Sequence, residues 1–142
     1  MTEGKFEKVQ HSDTALYGSE KLLLCGFSDK AQALFTKVLQ KADLSQVEKV
    51  WVNESQKKKK LIELLELSDN TGMGKSSALP RAIVVSGITQ NQLHSLMAVC
   101  RAAGMKNALW AALTPTSEQW SIGQLLSELA SERQALARQR RK

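Results

Sequence analysis

The feature that most constrains this chain is a segment that occurs twice. Leu22-Leu23-Leu24-Cys25-Gly26-Phe27-Ser28 is followed 61 residues later by Ile83-Val84-Val85-Ser86-Gly87-Ile88-Thr89. At the same offset Phe35 meets Leu96, Val38 meets Val99 and Ala42 meets Ala103. Each copy opens as an apolar run too short for a helix and halted at a glycine, which is how a strand buried on both faces reads. In the first copy Ser28 or Asp29 then caps a helix over about 29–42, with Ala31, Leu34, Phe35, Val38, Leu39 and Ala42 at helical spacing. Val47 and Val50-Trp51-Val52 form a second strand, and beyond small gaps Trp51 corresponds roughly to Trp110 in the second copy. Leu61, Leu64 and Leu65 again precede Ile122, Leu125 and Leu126 by 61 residues. A recurring order of strand, glycine turn, helix, Trp-bearing strand and leucine helix predicts an internal duplication.

Strands alternating with helices of this length predict an α/β fold: two β-α-β-α repeats forming a four-stranded, mainly parallel sheet flanked by helices. In a chain of 142 residues this makes one domain. Residues 1–18 read as a flexible N-terminal arm, 19–67 as the first repeat, 68–80 as a linker rich in turn residues, and 81–132 as the second repeat. A basic helix end, 133–142, closes the domain.

The second repeat resembles a family of small bacterial proteins catalogued only as a domain of unknown function, over roughly Pro80 to Leu136. The likeness is carried by Ile83-Val84-Val85-Ser86-Gly87-Ile88, by Leu113-Thr114-Pro115-Thr116, and by Trp120-Ser121-Ile122-Gly123-Gln124-Leu125-Leu126 with Glu128-Leu129. It implies a folding unit and no activity. The first half looks like a diverged copy that lacks the Thr-Pro-Thr and Trp-Ser-Ile-Gly elements.

The formal charge of +6 points toward nucleic acid until its distribution is considered. Arg133, Arg138, Arg140, Arg141 and Lys142 lie in the last ten residues with no acid among them, which leaves 15 bases against 14 acids in the rest. A nearly neutral body with a basic tail suits weak, non-specific attraction to polyanions better than sequence recognition. The first ten residues are polar, and no stretch nears the roughly 18 apolar residues of a membrane span. A cytoplasmic protein without membrane contact is expected, with Cys25 and Cys100 as reduced core residues.

Several chemical motifs weaken on inspection. Thr71-Gly72-Met73-Gly74-Lys75-Ser76-Ser77 ends like a phosphate-binding loop, but the required first glycine is Asp69, and a strand rather than a helix follows. Gly26-Phe27-Ser28-Asp29 and Gly87-Ile88-Thr89-Gln90 sit where strands turn into helices. Their amides would suit a small anion, although a tight turn and a helix cap are the simpler explanation. Lys57 to Lys60 read as the solvated opening of a helix, with polyanion contact as the alternative. His11 and His94 stand apart from other ligands, and neither cysteine has a neighbouring base, so no catalytic residue, metal or cofactor is expected.

These residues favour a non-catalytic ligand- or protein-binding module over an enzyme. In a parallel sheet the polar turns share the carboxyl rim, so Gly87, Thr89, Thr114, Thr116 and Trp120 are the candidate ligand-binding residues. For Trp120 the alternative is packing over the last helix, which Ser121 and Gln124 would cap. That helix carries Ile122, Leu125, Leu126 and Leu129 on one face and then projects, a shape suited to a partner or a second copy. The competing function is association with nucleic acid through Arg133, Arg138, Arg140, Arg141 and Lys142.

Overall fold

In the computed structural model, residues 14–105 and 107–140 are described. Strands β1 (Lys21–Cys25), β2 (Glu48–Val52), β3 (Ala82–Ser86) and β4 (Leu109–Ala112) form one sheet in the order β2-β1-β3-β4. The α/β class and the four-stranded, mostly parallel sheet agree with the sequence: β1 pairs parallel with β2, and β3 with β4. The central pair, β1 with β3, is antiparallel.

Helices α1 (Asp29–Lys41) and α3 (Gln90–Ala102) cover one face, where Leu22, Leu24, Phe35, Trp51, Val85 and Leu96 share a core. Helices α2 (Leu61–Leu65) and α4 (Ile122–Arg140) cover the other, over Leu23, Val50, Val84, Leu64 and Leu126. Alternate residues of β1 thus feed opposite cores, as the period of a strand dictates.

The antiparallel centre follows from the path of the chain after α2. Asn53 caps a single 3-10 turn, Glu54–Gln56, and the helix expected to follow it directly begins only at Leu61 and ends at Leu65. α2 and the residues after it return the chain to the starting edge, where Leu67 O accepts from Lys21 Nζ and Asp69 Oδ1 from Lys49 N, but residues 69–72 then run back alongside β2, with Asn70 N donating to Lys49 O and Trp51 N to Thr71 O. Residues 73–80, which contain neither helix nor strand, then cross the carboxyl end of β1, where Ser77 N–H donates to Phe27 O. β3 therefore starts at the edge where β1 stops.

This geometry corrects three expectations. The glycine corners after β1 and β3 lie at opposite edges of the sheet, so the two repeats do not share one rim, although Gly87, Thr89, Thr114 and Thr116, which follow the parallel strands β3 and β4, lie at the same edge. Lys57 to Lys60 precede α2 rather than open it: the carbonyls of Lys59 and Lys57 accept from Ile122 N and Gly123 N at 2.9 and 3.0 Å, which caps α4. Finally, Leu22 pairs with Lys49 and Ile83 with Trp110, so at the 61-residue offset Trp110 takes the place of Lys49, and Ala112 that of Trp51. Both indoles lie on the α1/α3 face, but Trp51 is buried in its core and Trp110 is half-buried beside it.

Candidate functional site

The corner after β3 is roofed by residues 14–20. Leu16 N–H donates to Ile88 O at 2.8 Å, Gly87 N–H to Tyr17 O at 3.1 Å, and Ser86 Oγ to Ser19 O at 2.6 Å. Of the stretch read as an arm, then, residues 1–13, with His11, lie outside the described residues, and residues 14–18 lie along this corner. Gly87 has φ +69°, and a Cβ there would stand 2.5 Å from Ser19 C. Its role is close approach of backbone in a left-handed conformation.

The remaining residues expected at a ligand rim also have internal partners. Thr89 caps α3 in a reciprocal box, its Oγ1 accepting from Gln92 N at 3.0 Å and its own N–H donating to Gln92 Oε1 at 2.7 Å. Thr114 and Ser117 exchange backbone-to-hydroxyl bonds at 2.9 and 3.0 Å around the 3-10 turn Ser117–Gln119. Trp120 is half-buried against the α2/α4 core, and its carbonyl accepts from Leu61 N. Thr116 is exposed. Ser121 Oγ caps α4 by accepting from Gln124 N.

At the β1 corner the same work falls to residues 74–80. Gly74 N–H donates to Gln32 Oε1, Gln32 Nε2 to Lys75 O, Ser76 Oγ to Asp29 Oδ1 and Ser77 N–H to Phe27 O. The amides that a phosphate loop would turn toward its ligand are spent on these bonds.

The basic tail divides similarly. Arg133 donates through Nη1 to Asn107 O at 3.0 Å and through Nη2 to Ala108 O at 3.1 Å. Arg138 is exposed, Arg140 ends α4, and Arg141 and Lys142 lie outside the described residues.

The surface that sequence reasoning missed is the outer edge of β4. Leu109 N and Leu113 N donate inward to Arg81 O and Val85 O, so the backbone groups of Trp110 and Ala112 point away from the sheet. Among the described residues no segment pairs with them. The matching groups on β2 are met: Lys49 N donates to Asp69 Oδ1, Asn70 N to Lys49 O and Trp51 N to Thr71 O, at 2.7–2.9 Å. Gly72 lets that covering strip lie close, since a Cβ there would fall 2.1 Å from Trp51 O.

Beside the open edge runs an apolar groove of about 740 Å³ between α3 and β4, walled by Met97, Ala98, Cys100, Met105 and Trp110. Met97 and Trp110 also line a second hollow of about 180 Å³ toward Leu93 and Ala112. Arg101 is the charged residue among those lining either hollow. The Cys100 thiol is raised to about 11 by burial, and Cys25, deeper in the sheet, to about 12. Both stay protonated at neutral pH and are poor nucleophiles. The signal available in the sequence was Leu109-Trp110-Ala111-Ala112, a strand short of large residues to bury.

No helix among the described residues is long and apolar enough to cross a membrane, and no group of three or more His, Cys, Asp or Glu side chains among them has the arrangement to hold a metal ion. A family model described as Domain of unknown function (DUF3783) matches residues 81–136, nearly the span over which the resemblance was read. Comparison with curated proteins and with solved structures gives no match.

Proposed function

We propose that this chain is a non-catalytic protein-binding module that receives an extended segment of a partner protein along the outer edge of β4. The observation that carries this reading is the contrast between the two outer strands. The edge of β2 is covered by residues 69–72 of the chain itself, whereas the equivalent groups of Trp110 and Ala112 have no cover among the described residues. A sheet edge of this kind is a template for strand addition, in which backbone hydrogen bonds supply affinity and neighbouring hollows select side chains.

The groove also indicates the partner's chemistry. Its walls take apolar side chains, and Arg101, with no carboxylate among the lining residues, calls for an acidic one. A second copy of this chain would bring the same Arg101 and the same apolar walls, and so fits less well. The free, buried cysteines are consistent with a reducing compartment such as the cytoplasm. Internal duplication is supported by matching bonds at the 61-residue offset, Ser77 to Phe27 and Leu16 to Ile88.

The test is selection from a random-peptide library on the wild type, with each binder re-measured on Ala112→Pro and Arg101→Glu. Peptides with apolar and acidic residues whose affinity falls at least about tenfold on both variants support the reading. Binders indifferent to both variants, or no binders, overturn it. Sedimentation decides on a second copy: a wild-type dimer that Ala112→Pro dissociates would replace the peptide with the chain itself.

A further inference from the structure

We propose that the cavity beside Arg81 is a binding site for a small oxyanion, a carboxylate or a phosphate. It encloses about 240 Å³ and is lined by Gly26, Arg81, Gly104, Met105, Asn107 and Ala108. That volume lies below the range of pockets for drug-sized molecules and suits a ligand of few heavy atoms.

Arg81 is held in place before any ligand arrives. Its guanidinium carbon stands 4.6 Å from the centroid of the Phe27 ring, and its Nε donates to Gly26 O at 3.3 Å. Phe27 is itself fixed, only 1% exposed and edge-to-face with Phe35 at 5.1 Å and Trp51 at 5.6 Å. Stacking sets the plane of the fork, and the Nε bond sets its rotation within that plane. The two Nη groups remain, and this is the edge with which arginine grips an oxyanion through paired hydrogen bonds.

The surroundings agree with that charge. None of the described residues that line the cavity carries a carboxylate. Arg133 binds the carbonyls of Asn107 and Ala108 and so places a second positive charge against the same wall. Gly104 stands at φ +88° with nothing within 4 Å of where a Cβ would be. The cavity shares Met105 and Ala108 with the groove along β4, but an anion here needs no backbone from that edge. The site stands whether or not a partner strand binds.

The experiment follows backbone amide shifts of the whole chain during titration with sodium phosphate and, separately, sodium acetate, at ionic strength held constant with chloride. Saturable shifts at Gly26, Gly104 and Asn107 are expected, with half-saturation on the order of 1 mM for the better anion. Whichever salt saturates first identifies the class. Arg81→Lys keeps the charge and loses the fork, and is expected to weaken binding at least about tenfold. Asn107→Asp leaves Arg81 and its stacking intact while adding a repelling carboxylate at the rim; it is expected to weaken binding equally, so the test survives if Arg81→Lys misfolds. Ala112→Pro is expected to bind the anion like the wild type. Shifts that grow linearly with concentration, that chloride reproduces, or that Asn107→Asp leaves unchanged would overturn the site.

Discussion

The amide of Leu16 donates to the carbonyl of Ile88 at 2.8 Å, joining the chain before β1 to the corner after β3. The relation has a counterpart 61 residues on, where Ser77 donates to Phe27 at 3.2 Å. Because β1 and β3 run antiparallel, the segment entering each strand passes over the exit from the other. Each half thus seals the corner of its neighbour.

The glycines at these corners should therefore be far less replaceable than glycines of similar backbone angle elsewhere. A Cβ on Gly87 would meet backbone atoms of Ser19 and Glu20 at 2.5 Å, whereas one on Gly104, at φ +88°, would meet nothing within 4 Å. Gly104→Ala should cost only the left-handed strain, about 1 kcal/mol, and Gly87→Ala on the order of 3 kcal/mol as clash is added. Urea unfolding of the two variants measures the difference, and equal losses would show that the roof over Gly87 yields easily.

Gln32 is 2% exposed and holds residues 74–75 against α1 through both ends of its amide. Gln32→Leu keeps the size and removes both bonds, leaving Gly74 N–H and Lys75 O without that partner. A loss of about 1–3 kcal/mol is expected. Amide exchange should also accelerate at Gly74 and Ser77 while the centre of the sheet stays protected.

What the sequence disclosed was local. Glycine after an apolar run marked the ends of β1 and β3, and Ser28, Thr89 and Ser121 cap the helices as their positions suggested. The direction of β3 was hidden, because it depends on residues 69–72 running back alongside β2, a path that Asp69-Asn70-Thr71-Gly72 does not mark in the sequence. The internal partners of the candidate rim were hidden for a related reason: Gly87, Thr89 and Thr114 bond to segments or turns whose proximity only the folded chain supplies. The open edge of β4 was invisible for the opposite reason. It is defined by the lack, among the described residues, of a strip like Asp69 to Gly72, and the order of residues along a chain reveals a strand's neighbours in sequence more readily than its cover in space.

The two thiols offer a check on burial. Cys25 is raised to about 12 and Cys100 to about 11, both by loss of water. A thiol raised above its unfolded value favours the folded state below that value, and the contribution fades as pH climbs from roughly 9 toward 12. At pH 8 neither should react with a disulfide reagent until urea is added, and Cys100, which lines the groove, should react before Cys25. Rapid labelling of Cys25 in the native protein would contradict the buried β1.

The two faces of β4 can be separated by proline. Leu109 and Leu113 donate to β3, so Ala111 between them faces inward, and Ala112 presents its N–H outward. Proline removes one N–H and is tolerated on an edge strand where that group looks away from the sheet. Ala112→Pro should therefore melt close to the wild type, within about 1 kcal/mol, while Ala111→Pro breaks the ladder to β3 and should cost about 3 kcal/mol or more. The pair is informative because both changes are to the same residue type, one position apart, and only that at Ala111 removes a donor to β3. If Ala112→Pro proved as damaging as Ala111→Pro, its N–H would have to be bonded in the free protein. The edge would then already be covered, and strand addition there would have no room.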